Sequence, residues 1–196
     1  MITASNLIPV SGRPNAGKTS LINYLSHSKR PVGKQAGTTL RIALVPLIKD
    51  LFLVDLPGYG RITKRSKKLE EKMKDEIISF FENPSNRLLF ALHIIDISTF
   101  HHMVTRLERK GIIPIDVEMI QFVAERSNHP PIIVLNKIDK VKSDLINQNL
   151  MLLQSYDIPE SEFFLISLKT NNGCRTLQTR IKELIVQKLG SPYEHF

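Results

Sequence analysis

Apolar residues along the chain follow two alternating rhythms. Short, almost uninterrupted apolar runs occur at Leu7–Val10, Ile42–Ile48, Leu51–Asp55, Leu88–Asp96, Ile132–Asn136 and Phe163–Ser167. Runs of this length with no polar face predict strands covered on both sides. Between them the apolar positions recur at helical spacing, over Lys18–Ser26, Ser66–Glu82, Asp116–Arg126, Ser143–Ser155 and Gly173–Leu189. In Ser66–Glu82, Leu69, Met73, Ile77 and Phe80 share one face and lysines occupy the other. Strand and helix in alternation predict a three-layer α/β fold, a parallel sheet with helices on both faces. Only Lys49-Asp50 separates the second strand from the third, which makes that pair a hairpin. The expected sheet is therefore six-stranded and mostly parallel, with one antiparallel edge strand. Pro130-Pro131 and Asp157-Ile-Pro159 punctuate two connections. Thr99–Pro114 reads as a long connection with His101 and His102 on the surface, because adjacent histidines cannot both face one metal.

The bulk numbers narrow the class. At 196 residues, with no repeat, low-complexity tract or linker, one domain over residues 1–196 is expected. Hydrophobic content of 42% and charged content of 23% suit a soluble globular chain. A single cysteine, Cys174, excludes an internal disulfide framework or a cysteine zinc site and fits a reducing cytoplasm. No apolar run reaches the roughly 18 residues a membrane span needs, so no membrane partner is expected. Residues 1–6 are too short and polar for a signal peptide. A monomer is the simplest expectation.

The net charge of +8 changes the picture once it is located. His27–Arg41 holds four cations (Lys29, Arg30, Lys34, Arg41) and no acid. Tyr59–Lys74 holds seven (Arg61, Lys64, Arg65, Lys67, Lys68, Lys72, Lys74) against Glu70 and Glu71. The rest of the chain is nearly neutral. A charge run is usually only a solvated face, but two runs that flank one site point to a polyanionic partner.

Candidate chemistry begins with Gly12, Arg13, Pro14, Asn15, Ala16, Gly17, Lys18 and Thr19, which spell G-x-x-x-x-G-K-[ST] between an apolar run and a helix. The two glycines let the backbone curl so that its N–H groups face phosphate oxygens, helped by the helix N-terminus. Lys18 should reach the β- and γ-phosphates and the Thr19 hydroxyl should ligate Mg²⁺; Ser20 extends the nucleotide-contacting stretch. Asp55, Leu56, Pro57 and Gly58 spell D-x-x-G at a strand end. Asp55 should hold Mg²⁺ through a water, and Gly58 should bring its N–H close to the γ-phosphate. Alone, D-x-x-G is a weak signal. Asn136, Lys137 and Asp139 belong to N-K-x-D at the end of another strand. A carboxylate accepts from guanine N1–H and the 2-amino group, whereas adenine offers neither donor. The Lys137 stem can lie along the base and Asn136 can tie this loop to the phosphate loop. Gly37, Thr38 and Thr39 lie in a switch-like loop, with Thr39 the expected Mg²⁺ ligand and Thr38 the reserve. Ser167, Leu168 and Lys169 resemble the S-A-K element whose backbone meets guanine O6.

Four nucleotide motifs in one order identify a P-loop GTPase of the translation-factor class. Val54-Asp-Leu-Pro-Gly-Tyr-Gly60, with Gly-Arg-x-Asn-x-Gly-Lys, resembles the EngB family, GTPases that act in large ribosomal subunit assembly. Arg109-Lys-Gly-Ile-Ile-Pro-Ile-Asp-Val-Glu118 is similar to the archaeal branch. Ala36 where Pro is common, Thr19 where Ser is usual, and Arg61-Ile62 depart from the bacterial pattern. The resemblance implies slow GTP hydrolysis to GDP, with Lys18, Thr39 and Gly58 as the catalytic groups and Mg²⁺ held by Thr19, Thr39 and Asp55. Tyr59 stands where many GTPases carry a water-orienting glutamine, a task a phenol cannot do through an amide. In related potassium-activated GTPases the residue matching Asn15 helps hold K⁺; a loop-stabilising side chain is the plain alternative.

The expected role is a GTP-dependent switch whose basic segments engage rRNA or ribosomal protein on a large-subunit precursor. A regulatory G protein with a protein effector is the alternative. A detached G domain of an iron-transport or tRNA-modifying GTPase, and a metabolic kinase, fit the sequence less well.

Overall fold

The computed structural model describes residues 6–30, 41–59, 66–83, 86–127, 129–158 and 163–190. Its strands are β1 (Asn6–Gly12), β2 (Ala43–Ile48), β3 (Leu51–Asp55), β4 (Arg87–Leu88), β5 (Leu92–Asp96), β6 (Ile132–Asn136) and β7 (Phe163–Ile166). Its α-helices are α1 (Lys18–Ser26), α2 (Lys67–Glu82), α3 (Ile97–Glu108), α4 (Ile115–Arg126), α5 (Ser143–Gln154) and α6 (Cys174–Leu189). They form one sheet in the order β2-β3-β1-β5-β6-β7, with β4 also paired to β1. Every pairing is parallel except β2 with β3, whose turn at Lys49-Asp50 places Asp50 at φ 59°.

Alternation of side chains along each strand assigns the two faces. Ile8, Val10, Leu92 and Ile94 pack with α1 (Leu21, Ile22, Leu25) and α6 (Leu177, Ile181, Leu184, Ile185). Leu7, Val54 and Ala91 pack with Ile77 and Phe81 of α2 and Val123 of α4. Ile95, Ile133 and Leu135 pack with Phe100 and Val104 of α3, Ile120 of α4 and Leu153 of α5. Each such Val, Leu, Ile or Phe side chain, fully buried, contributes about 1.5–3 kcal/mol.

The sheet is mostly parallel with one antiparallel edge pair, as expected, but the strand expected over Leu88–Asp96 is broken into β4 and β5, so among the described residues it has seven strands. Pro9 explains the break. Leu89 N donates to the Leu7 carbonyl at 3.0 Å, and Pro9, two residues on, would have to present an N–H to the same side. Proline has none, and β4 and β5 pair with β1 only on either side of Pro9.

Helix α3 occupies most of the stretch Thr99–Pro114, where the sequence predicts a connection. Ile97, Phe100 and Val104 are fully buried at helical spacing. The helix starts directly on the end of β5: Asp96 is both the last strand residue and the N-cap, accepting from Ser98 N at 3.1 Å. Of the two histidines on it, His102 is exposed and His101 half-buried. On α2 it is Phe81 that is buried with Met73 and Ile77, and Phe80 is only partly covered.

Candidate functional site

The carboxyl ends of β1, β3, β5 and β6 lie side by side, and the loops that leave them converge. Parallel strands place a ligand site there. The turn between β1 and α1 approaches β5 so closely that only glycine fits at its start. Gly12 has φ 143°, and a Cβ there would lie 2.3 Å from the Ile94 carbonyl oxygen. Gly17, the N-cap of α1, has φ 114°. Asn15 sits between them in the left-handed region, φ 64°, which asparagine tolerates better than most side chains. Lys18, buried at the start of α1, folds its ammonium back over the loop and donates to the carbonyls of Gly12 (2.9 Å) and Arg13 (2.8 Å). Its charge is thereby held at the centre of the turn.

β3 delivers Asp55 to the same place. The Thr19 hydroxyl donates to Asp55 Oδ2 at 3.3 Å, and Arg30 Nη1 lies 3.4 Å from the same oxygen. The two residues expected to serve Mg²⁺ are thus brought together, as hard oxygen donors of the kind that cation takes. Among the described residues no group of three His, Cys, Asp or Glu forms a metal cage. Gly58 passes over the loop: a Cβ added to it would lie 3.0 Å from Pro14 N and 3.1 Å from Lys18 Nζ. Gly37, Thr38 and Thr39 lie outside the described residues, as do Lys34, Arg61, Lys64 and Arg65.

On the base side, Asn136 at the end of β6 links two loops. Its Nδ2 donates to the Ala16 carbonyl at 2.8 Å and its Oδ1 accepts from Leu168 N at 3.2 Å. A Cβ on Gly17 would strike Asn136 Nδ2 at 2.4 Å. Lys137, at φ 71°, donates to the Asn15 carbonyl at 2.7 Å and pairs with Asp96. Asp139 is exposed and accepts from the Ser167 hydroxyl at 2.6 Å. That hydrogen bond, helped by Lys169 and Lys140 nearby, holds the Asp139 carboxyl below its ordinary 3.8. Ser167 is buried, and its own N–H donates to Asn172 O at 2.9 Å.

Four side chains that the motifs do not announce complete the arrangement. Asp96 anchors Lys137, and Arg30 faces Asp55. His93 and Asp116 meet Tyr59 inside the molecule. Tyr59 Oη lies 3.1 Å from His93 Nε2 and 3.1 Å from Asp116 Oδ1. All three are buried, and burial, followed by the Asp116 charge, pushes the Tyr59 phenol well above its ordinary 10.0. His93 stands out in sequence as the one polar residue inside an apolar run. Asp116 looks there like an ordinary acid in the first turn of a helix.

Fold, motif order and this convergence of loops define a P-loop GTPase, an enzyme that hydrolyses GTP. The family model described as "50S ribosome-binding GTPase" matches residues 8–137. A probable GTP-binding protein EngB of Pyrococcus horikoshii is 34% identical over 94% of this chain and 88% of its own length. One from Methanopyrus kandleri is 35% identical over 94% of both. The crystal structure of a probable GTP-binding protein EngB superposes with a TM-score of 0.79 at 34% identity, over 92% of this chain and 99% of that one. The chain belongs to the EngB family of GTP-binding proteins. Era, crystallised with MgGDPNP and nucleotides 1506–1542 of 16S ribosomal RNA, superposes with a TM-score of 0.66 at 25% identity, over 90% of this chain and 56% of that one.

Proposed function

We propose that this GTPase is a slow nucleotide switch in assembly of the large ribosomal subunit, acting in the cytoplasm as a single-domain monomer. The observation that carries the reading is the position of Arg30. It belongs to the first basic run, and its guanidinium rests on Asp55, the carboxylate at the centre of the site. The state of the site and the availability of that run are thereby linked. In the second run, Lys68, Lys72 and Lys74 are exposed on α2, which follows D-x-x-G. Exposed cations on both runs suit rRNA phosphates, whose neutralisation releases counterions. The family description and the Era complex with rRNA support a ribosomal partner.

The chain's residues divide the work. Main-chain N–H groups of residues 13 and 15–20, Pro14 having none, and the Lys18 ammonium hold the phosphates. Thr19, Asp55 and, from the switch loop, Thr39 would hold Mg²⁺, which supplies countercharge for the β- and γ-oxygens when bound. Gly58 leaves room for its N–H beside the terminal phosphate. Asp139, fixed by Ser167, reads guanine; Lys137 flanks the base and the turn at Ser167–Lys169 closes over it. Arg30 gives up Asp55 when the nucleotide site fills, and becomes available to another anion.

Sedimentation with ribosomal particles tests this. Co-sedimentation with large-subunit precursors in a non-hydrolysable GTP analogue but not in GDP, weakening steeply with salt and with Lys64, Arg65, Lys67 and Lys68 neutralised, is expected. A soluble complex with a protein, unaffected by nuclease, would favour the effector reading instead.

A further inference from the structure

The geometry points to Asp116 as a positioning residue for GTP hydrolysis, its two carboxylate oxygens setting the spacing between the phosphate loop and Gly58. This rests on the GTPase activity alone, not on the ribosomal role.

Two pairs of consecutive residues carry the argument. Arg13-Pro14 lies in the phosphate loop, and Gly58-Tyr59 follows β3. The inner members meet: a Cβ on Gly58 would touch Pro14 and the Lys18 ammonium. The outer members both turn toward α4. Asp116 Oδ1 accepts from the Tyr59 hydroxyl at 3.1 Å, and Asp116 Oδ2 faces Arg13 Nη1 at 3.8 Å. One carboxylate from a third element therefore brackets the contact on both sides. Lys18 and Gly58 are the groups that the motifs aim at the terminal phosphate, so the gap between them is where transition-state contacts form.

The Tyr59 side of the bracket is enclosed. Asp116 is 1% exposed and His93 is not exposed at all. The groups form a continuous chain: the Ser11 hydroxyl donates to the Leu92 carbonyl (3.3 Å) and lies 2.9 Å from His93 Nδ1, His93 Nε2 lies 3.1 Å from Tyr59 Oη, and Tyr59 O–H donates to Asp116 Oδ1 (3.1 Å). Asp116 Oδ2 accepts no hydrogen bond among the described residues; the Arg13 guanidinium, which donates to Met103 Sδ, faces it at 3.8 Å as a countercharge only. Ser11 is on β1 and His93 on β5, so the network is bolted to the sheet and Gly58 is held through Tyr59. Tyr59 thus acts from inside, by fixing its neighbour, and not on water as a glutamine would.

The test uses Asp116→Asn, Tyr59→Phe and the double variant, assayed in Mg²⁺ without ribosomal particles. Single-turnover GTP hydrolysis is compared with GDP affinity, and a thermal melt confirms folding. The proposal expects hydrolysis to fall about tenfold in each single variant. GDP affinity should stay within about twofold, since GDP lacks the terminal phosphate. The double variant should be no slower than the slower single one, because both break the same bracket. Wild-type hydrolysis in the folded variants, a parallel loss of GDP affinity, or losses that multiply in the double variant would each overturn it. Tyr59→Phe keeps the ring, so it carries the test alone if Asp116→Asn does not fold.

Discussion

Asn136 Nδ2 donates to the Ala16 carbonyl at 2.8 Å, so the base-reading motif and the phosphate loop are joined by one amide 120 residues apart in sequence. The same side chain accepts from Leu168, so three loops share a single fastening point. Asn136→Ala removes both bonds. It should cost about 1–3 kcal/mol, weakening GTP and GDP about 10- to 100-fold and nearly equally, because it loosens the site without touching the γ-phosphate. Fluorescent-nucleotide titration checks this; a loss confined to GTP would contradict it.

The Ser167–Asp139 pair gives a pH prediction. A carboxyl whose folded value is depressed contributes stability that is present above its unfolded value and lost as pH falls through the folded one. For Asp139 the window therefore opens below 3.8. Following the carboxyl carbon by NMR, Asp139 should titrate below that value, and in Ser167→Ala it should move up toward it. An unchanged titration in the variant would remove Ser167 as the cause.

Tyr59 behaves in the opposite sense at the alkaline end. Below pH 10 it is protonated in both folded and unfolded chains. Above it, the unfolded chain releases the proton and the folded one keeps it, so stability falls as pH rises. Tyr156 is also pushed up, by burial and by its hydrogen bond to Glu108, so ultraviolet titration of the four tyrosines should show late-ionising phenols that decrease by one in Tyr59→Phe, Tyr59 ionising only as the fold is lost.

Much of the site was legible because its chemistry is contiguous. The phosphate loop, D-x-x-G and N-K-x-D each lie on one short stretch, and the strands that carry them are apolar throughout. What escaped is what the chain assembles from distant parts. Tyr59, His93 and Asp116 come from three separate parts of the chain, and although His93 stands out as a polar residue inside an apolar run, nothing local pairs it with the other two. The split of β4 from β5 is caused by Pro9, a residue on the neighbouring strand. Helix α3 escaped because Asp96 ends a strand and caps a helix at once, leaving no turn residues to announce the change. Arg30 is one cation in a basic run until the fold sets it against Asp55.

Asn15 bears on the choice of monovalent cation. Its carbonyl is taken by Lys137 and its side chain is exposed at the mouth of the phosphate loop. If Asn15 holds K⁺ beside the nucleotide, slow turnover should be faster in KCl than in NaCl, and Asn15→Ala should abolish the difference. Equal rates in the two salts would leave Asn15 with its loop-stabilising role alone.

Nucleotide choice turns on Asp139 as the reader of guanine, and competition between GTP and ATP tests that directly. The wild-type chain should prefer GTP by on the order of 10⁴, as sites built to pair a substrate's donors do. Asp139→Asn should lose most of that preference through weaker GTP binding. Equal affinity for the two nucleotides in the wild type, or an undiminished preference in Asp139→Asn, would contradict it.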